Sequence, residues 1–165
     1  MSGFGHAPIE SGGKVMKSKG LALLFGVLAA FALAHPAAAV TLISAQEAAL
    51  PAASTAVFAT RGISLGPRIE LVSPNSDAGT ASPLAFKVVF TPHNQTTVDP
   101  GSVKVTYLKE KPVDLTARLK PYITAQGIDM TNADVPPGVH LIRVDVLDSE
   151  GKKGAAVLRL TVTGK

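Results

Sequence analysis

Gly138-Val139-His140-Leu141-Ile142-Arg143-Val144-Asp145-Val146, followed by the turn residues Asp148-Ser149-Glu150-Gly151 and then by Ala156, Leu158, Leu160 and Val162, is the stretch whose reading decides the fold. Successive side chains of a strand point to opposite faces, so positions 140, 142, 144 and 146 share one face and positions 139, 141, 143 and 145 the other. The even row is apolar apart from His140, which marks it as the side turned to a core. Ala156 to Val162 repeat the pattern after a turn of favourable residues, so the segment predicts a hairpin that ends the domain.

The same period runs backwards through the chain. Pro83 opens a run in which Leu84, Phe86, Val88 and Phe90 point one way and Ala85, Lys87 and Val89 the other. Beyond the Asp-Pro-Gly turn at 99–101, Val103, Val105 and Tyr107 alternate with Ser102, Lys104 and Thr106. Ile69 and Leu71 make a first strand after Arg68, closed by the turn-rich stretch Ser73–Gly79. Asp114–Leu119, bracketed by Pro112 and Pro121, reads either as a strand with Leu115, Ala117 and Leu119 inward or as a single helical turn. A short strand at Ile128–Met130 and a Pro-Pro-Gly corner within Asn132–Gly138 complete the series. About seven short strands with turn residues between them predict an all-β antiparallel sandwich over residues 68–165.

The pattern Pro136-Pro137-Gly138-x-His140-x-Ile142-x-Val144-x-Val146-x-Asp148-x-x-Gly151 resembles the last two strands of bacterial extracytoplasmic immunoglobulin-like and fibronectin-type-III-like domains. The resemblance covers about Arg68–Lys165 and implies an immunoglobulin-like sandwich while saying almost nothing about function. The chain departs from the antibody pattern in having no cysteine and no tryptophan. His140 stands where many such sandwiches carry a corner tyrosine that bonds to backbone a few residues upstream, which implies a structural histidine.

Ahead of the sandwich, Lys14, Lys17 and Lys19 precede the uncharged apolar run Leu21–Ala34, then Pro36 and Ala37-Ala38-Ala39. This is the layout of a signal peptide over residues 1–39, with the true start expected at Met16 because the Gly- and Ser-rich stretch before it is unlike an n-region. The run falls short of the ~20 apolar residues of a span, so no membrane span is expected after cleavage. Residues 40–67, rich in Ala, Ser and Thr, read as a partly ordered arm or linker, with Ser44 and Glu47 at the spacing of a capping box. The leader holds three lysines and one glutamate, so residues 40–165 keep 13 basic against 11 acidic side chains from totals of 16 and 12. A near-neutral chain whose charges alternate in sign has no nucleic-acid footprint. With no cysteine there are no disulfides, thiolate nucleophiles or blue-copper sites.

Two chemistries were open to the residues. Periplasmic copper carriers begin with a histidine and end with a similar Pro-Gly strand; cleavage after Ala32-Leu33-Ala34 would leave His35 with a free amine, a chelate for Cu(II), and His93, His140 and Met130 are the other candidate metal ligands. Against this, the final hairpin carries Lys152 and Lys153 where those carriers place a second histidine. Gly62-Ile63-Ser64-Leu65-Gly66 matches the hydrolase elbow pattern literally but lacks its strand–turn–helix context. The acidic residues Asp129, Asp134, Asp145, Asp148 and Glu150 lack calcium-loop spacing and read as turn formers and solvated charges.

The sequence therefore predicts an exported, non-enzymatic module without cofactor, in the periplasm or at the cell surface, that binds another envelope protein or a cell-surface polymer. Val89, Leu141, Leu147 and Val157, apolar at outward parity, are the candidate interaction face. The competing expectation is that the arm 40–67 covers that face or adds an edge strand.

Overall fold

Alternation along the long strands is what builds the sandwich. The computed structural model describes residues 39–54, 65–74 and 79–164. In chain order the elements are β1 (Val40–Thr41), α1 (Ala45–Ala48), β2 (Arg68–Ser73), β3 (Thr80–Ala81), β4 (Leu84–Thr91), β5 (Val98–Tyr107), β6 (Val113–Asp114), α2 (Thr116–Leu119), β7 (Ile123–Thr124), β8 (Gly127–Asp134), β9 (Gly138–Asp148) and β10 (Lys153–Thr163). Among the described residues these form two five-stranded sheets, one ordered β1-β8-β4-β2 with β7 beside β8, the other β3-β10-β9-β5-β6.

Six strands are long, and they coincide with the periodic segments. The expected count of about seven becomes ten because β1, β3, β6 and β7 are two-residue pieces, too short to leave a period. Val113 and Asp114 pair with Tyr107 and Thr106, after which the chain turns helical through α2 and a 3₁₀ turn at Lys120–Tyr122. Helix thus wins between Pro112 and Pro121, and it buries Leu115 and Leu119. β8 runs on to Asp134, well past the expected Met130.

Inward residues of both sheets interleave in a single core. Phe86 and Val88 come from β4, Ile128 and Met130 from β8, Val105 and Tyr107 from β5, Ile142 and Val144 from β9, and Leu160 from β10, all essentially without exposure. At Gly127 the two-strand approach is so close that a Cβ would lie 2.0 Å from the Val88 carbonyl oxygen, and its φ of +151° lies where side chains are disfavoured.

The start of the arm adds an edge strand, the second of the two expectations for it: β1 pairs in parallel with Ala133 and Asp134 of β8, and the amides of Leu42 and Ile43 both donate to the Asp134 carbonyl. Leu42 and Ile43 are fully buried core residues. They were illegible because they are adjacent and stand among small polar residues, where no period marks them. The capping box forms as expected, with Glu47 N–H donating to Ser44 Oγ at 3.2 Å and Ser44 N–H donating to Glu47 Oε2 at 2.9 Å.

Glu47 also anchors the arm to α2. Arg118 grips its carboxylate with two hydrogen bonds of 2.8 and 2.7 Å and donates to the Leu42 carbonyl at 2.9 Å. The Arg118 bonds are the largest cause that holds the Glu47 carboxyl down at about 2, against the upward push of burial. Lys109 ties the other end of α1 by donating to the carbonyls of Ala48 and Leu50 at 2.7 and 2.8 Å. Downstream, Gly66-Pro67 crosses the start of β10, where a Cβ on Gly154 would meet the Pro67 oxygen at 2.1 Å. Leu42→Ala should cost about 2–5 kcal/mol of unfolding free energy in a denaturant titration of the chain that begins at Val40, as for other core truncations. A loss below 0.5 kcal/mol would mean that the arm is not part of the core.

Candidate functional site

Two groups of polar side chains stand out, one inside the sandwich and one on its surface. Inside, His140 is 2% exposed at the Pro-Pro-Gly corner. Its Nε2 lies 2.8 Å from the Pro136 carbonyl, four residues upstream, and its Nδ1 lies 2.9 Å from the Tyr107 hydroxyl. A carbonyl only accepts, so Nε2 carries the proton; in the neutral ring that burial favours, Nδ1 then accepts from the tyrosine hydroxyl. Burial pushes the His140 pKa down, the Pro136 bond opposes it, and the Lys109 charge lowers it further. Lys109 Nζ sits 5.1 Å from the centroid of the Tyr107 ring. The Tyr107 hydroxyl is pushed up, first by burial and then by the charge of Glu47.

This corner is a packed polar bridge with both imidazole nitrogens engaged, so neither offers a lone pair outward. The other metal candidates do not join it. His93 is exposed in the turn between β4 and β5, beside Asn94 and Gln95, both at positive φ. That turn leads into Thr97, whose carbonyl accepts from Ser149 N–H just beyond β9, at the opposite end of that strand from His140. Met130 is a core residue facing the sandwich interior. His35 and Ser64 lie outside the described residues. Among the described residues no three His, Asp or Glu side chains stand where they could share a metal ion.

The acidic side chains read as turn formers each have a local partner. Asp129 pairs with Lys87, Glu150 with Lys152, and Asp134 accepts from Ser82. Asp148 Oδ1 accepts from the amides of Glu150 and Lys152 and so shapes the last turn.

On the surface, the outer face of the sheet β3-β10-β9-β5-β6 carries the second group. Arg143 and Asp145, two apart on β9, share a forked ion pair with Nε at 2.9 Å from Oδ2 and Nη2 at 3.0 Å from Oδ1. Lys153 of β10 reaches the same carboxylate at 3.0 Å. From the other side, β5 places Lys104 directly opposite Asp145 and Thr106 opposite Arg143. Burial alone would raise the Asp145 pKa, but the bonds from Arg143 and Lys153 outweigh it and hold the carboxyl below the usual range. Around this cluster lies an open depression of about 460 Å³ floored by Ser102, Lys104, Thr106, Arg143, Asp145 and Lys153.

The depression sits beside a bulge in β5, between Asp99 and Lys104. There the Ser102 hydroxyl replaces lost backbone bonds, accepting from Leu147 N–H at 2.8 Å and donating to the Asp99 carbonyl at 2.7 Å. Apolar residues rim the same face: Leu147 and Val157 are each 38% exposed and Val139 is 52% exposed, with Leu141 half-buried between them.

Of the four apolar residues expected to make one surface, Leu141, Leu147 and Val157 lie together on this face. Val89 does not; it belongs to β4 of the opposite sheet, because parity places a residue outward without saying on which sheet. Val139 was missed, although its parity with Leu141 was available. The described parts of the arm run along β8, beside α2 and against Lys153 and Gly154 at the start of β10; residues 55–64 lie outside the described residues. Compared with known proteins, the chain gives no significant match to any family model, curated protein or solved structure.

The sign of the His140 shift determines a pH response. A histidine whose folded pKa lies below its ordinary 6.5 contributes full stability above that pH and loses it as the pH falls below. Thermal unfolding should therefore show a midpoint that drops between pH 6.5 and 5, and His140→Phe should remove most of that drop even as it lowers the midpoint at pH 8. A wild-type midpoint that stays level across this window would contradict the buried neutral imidazole.

Proposed function

We propose that this chain is an exported, non-enzymatic sandwich of immunoglobulin-like type that works as a binding module, with the outer face of the sheet β3-β10-β9-β5-β6 as its contact surface. The strand order supports the assignment of type. β2, β4 and β8 stand side by side as strands A, B and E do, while β6, β5, β9 and β10 follow the order of C′, C, F and G. The corner bond from His140 to Pro136 is the histidine counterpart of the tyrosine corner.

A single observation carries the binding reading. Val139, Leu147 and Val157, three of the six exposed large apolar side chains among the described residues, share one sheet face with the depression around Arg143 and Asp145. Apolar surface gathered around an arginine-centred polar cluster is the composition of a protein interface. Binding through a rigid sheet face needs no catalytic residue. The partner is an envelope protein, reached in the periplasm or at the cell surface, and export rests on the Lys14–Lys19 charges, the apolar run and Ala37-Ala38-Ala39.

Two measurements test this. N-terminal sequencing of the processed protein should return Val40 first; His35 first would restore the amine–imidazole chelate and the copper-carrier alternative. A photoreactive amino acid placed at Leu147 or Val157 in living cells should give a covalent adduct with another protein, while the same group at Val89 on the opposite sheet should give none. Equal labelling from both sheets, or none from either, would remove the contact surface.

A further inference from the structure

We infer that the His140 corner is a pH-sensitive clasp on the arm: protonation of the imidazole drives the Lys109 ammonium off the end of α1 and frees the chain from Ala48 to Ala52. The inference goes beyond the binding reading and does not rest on it. Two attachments hold α1. At its first turn Arg118 forks onto Glu47. At its other end the bonds converge on the two residues that follow Leu108. Lys109 Nζ donates to the Ala48 and Leu50 carbonyls, Glu110 N–H donates to the Pro51 carbonyl at 3.0 Å, and Ala52 bridges to Lys109. The same ammonium lies 5.1 Å from the centroid of the Tyr107 ring, whose hydroxyl is 2.9 Å from His140 Nδ1. The tether of the arm and the buried imidazole therefore meet across one aromatic ring.

The groups around His140 decide which part gives way. Tyr107 and Lys109 come from β5 and its extension, Glu47 and Arg118 from α1 and α2, and β10 sets the apolar Leu160 opposite. A proton added at Nδ1 places a second positive charge near Lys109, and Glu47, whose charge reaches Tyr107, is already gripped by Arg118. The added proton also turns the Tyr107 hydroxyl from donor to acceptor, so its own hydrogen loses the partner it had. His140 is buried and held by two bonds, whereas Lys109 is half-buried on a flexible stem that can carry its ammonium into water. Its departure forfeits the bonds to Ala48 and Leu50. Burial, and after it the Lys109 charge, hold the His140 pKa below its ordinary 6.5, so the clasp is closed above that pH and opens as the pH falls through the lower value. Glu47, held at about 2 by Arg118, stays ionised throughout, so the first turn of α1 and Leu42 keep their attachments.

The test is amide hydrogen exchange of the processed, isotope-labelled protein at pH 7.5 and 5.0, corrected for the intrinsic rate at each pH. Leu42, whose amide donates to the Asp134 carbonyl, is the reference that cancels any loss of stability shared by the whole domain. Protection of Leu50 and Glu110 relative to Leu42 should fall about tenfold at pH 5.0, with a midpoint that matches the titration of the His140 ring signals. His140→Gln should abolish the fall, and His93→Gln, in its exposed turn, should leave it unchanged. Lys109→Gln should show the low ratio already at pH 7.5 and no further fall, which keeps the inference testable if His140→Gln does not fold. A level ratio in the wild type, a parallel loss at Leu42, a fall that persists in His140→Gln or vanishes in His93→Gln, or full protection at pH 7.5 in Lys109→Gln would overturn the inference.

Discussion

Everything in the sandwich depends on the register of β9. This strand pairs along its length with β10 and from Ile142 to Asp148 with β5, so its inward row supplies the middle of the core and its outward row the middle of the exposed face. A slip of one position would exchange the two rows, driving Arg143 and Asp145 into the interior and Ile142 and Val144 into water. Several features pin the register. Asp148 shapes the turn into β10, Ser149 bonds to Thr97, and the Ser102 hydroxyl bridges the bulge in β5 without breaking the pairing on either side. At the other end His140 fastens the strand to Pro136 behind it and to Tyr107 beside it.

The corner and the exposed face are therefore two results of one alternation. Tyr107 and His140 face inward and satisfy each other where no water enters, and the desolvation that keeps the imidazole neutral also makes its two bonds necessary. Arg143 and Asp145 face outward on the same strand, where they stay charged and available. The side chains differ in role because the pleat sends them to different media.

How much of this was legible in the sequence follows from the length of each signal. The long strands carry four or more alternating positions, enough to be read and to assign inward residues such as Phe86, Val105, Ile142 and Leu160 correctly. Two-residue strands carry no period, and Leu42 and Ile43 join the core as neighbours in sequence at a bend, which no alternation announces. The upstream half of the His140 site was readable because Pro136 is only four residues away; Tyr107 lies 33 positions off on another strand and required the pairing of β5 with β9. The charged cluster failed for the same reason. Lys104, Arg143 and Lys153 each look like an ordinary solvated charge until three strands are set side by side.

The pairing of β1 with β8 has a consequence in time. Val40 lies beside Ala133, and the grip of Arg118 on Glu47 closes a separation of 71 positions. A chain made from its N-terminus exposes Leu42 and Ile43 early and offers them no partner until nearly the whole sandwich has followed. Contacts this distant along the chain form late and slowly. The arm is thus the first part to be made and the last able to settle, and during that interval two of the most deeply buried side chains of the finished domain stand open to whatever chaperone or neighbour reaches them first.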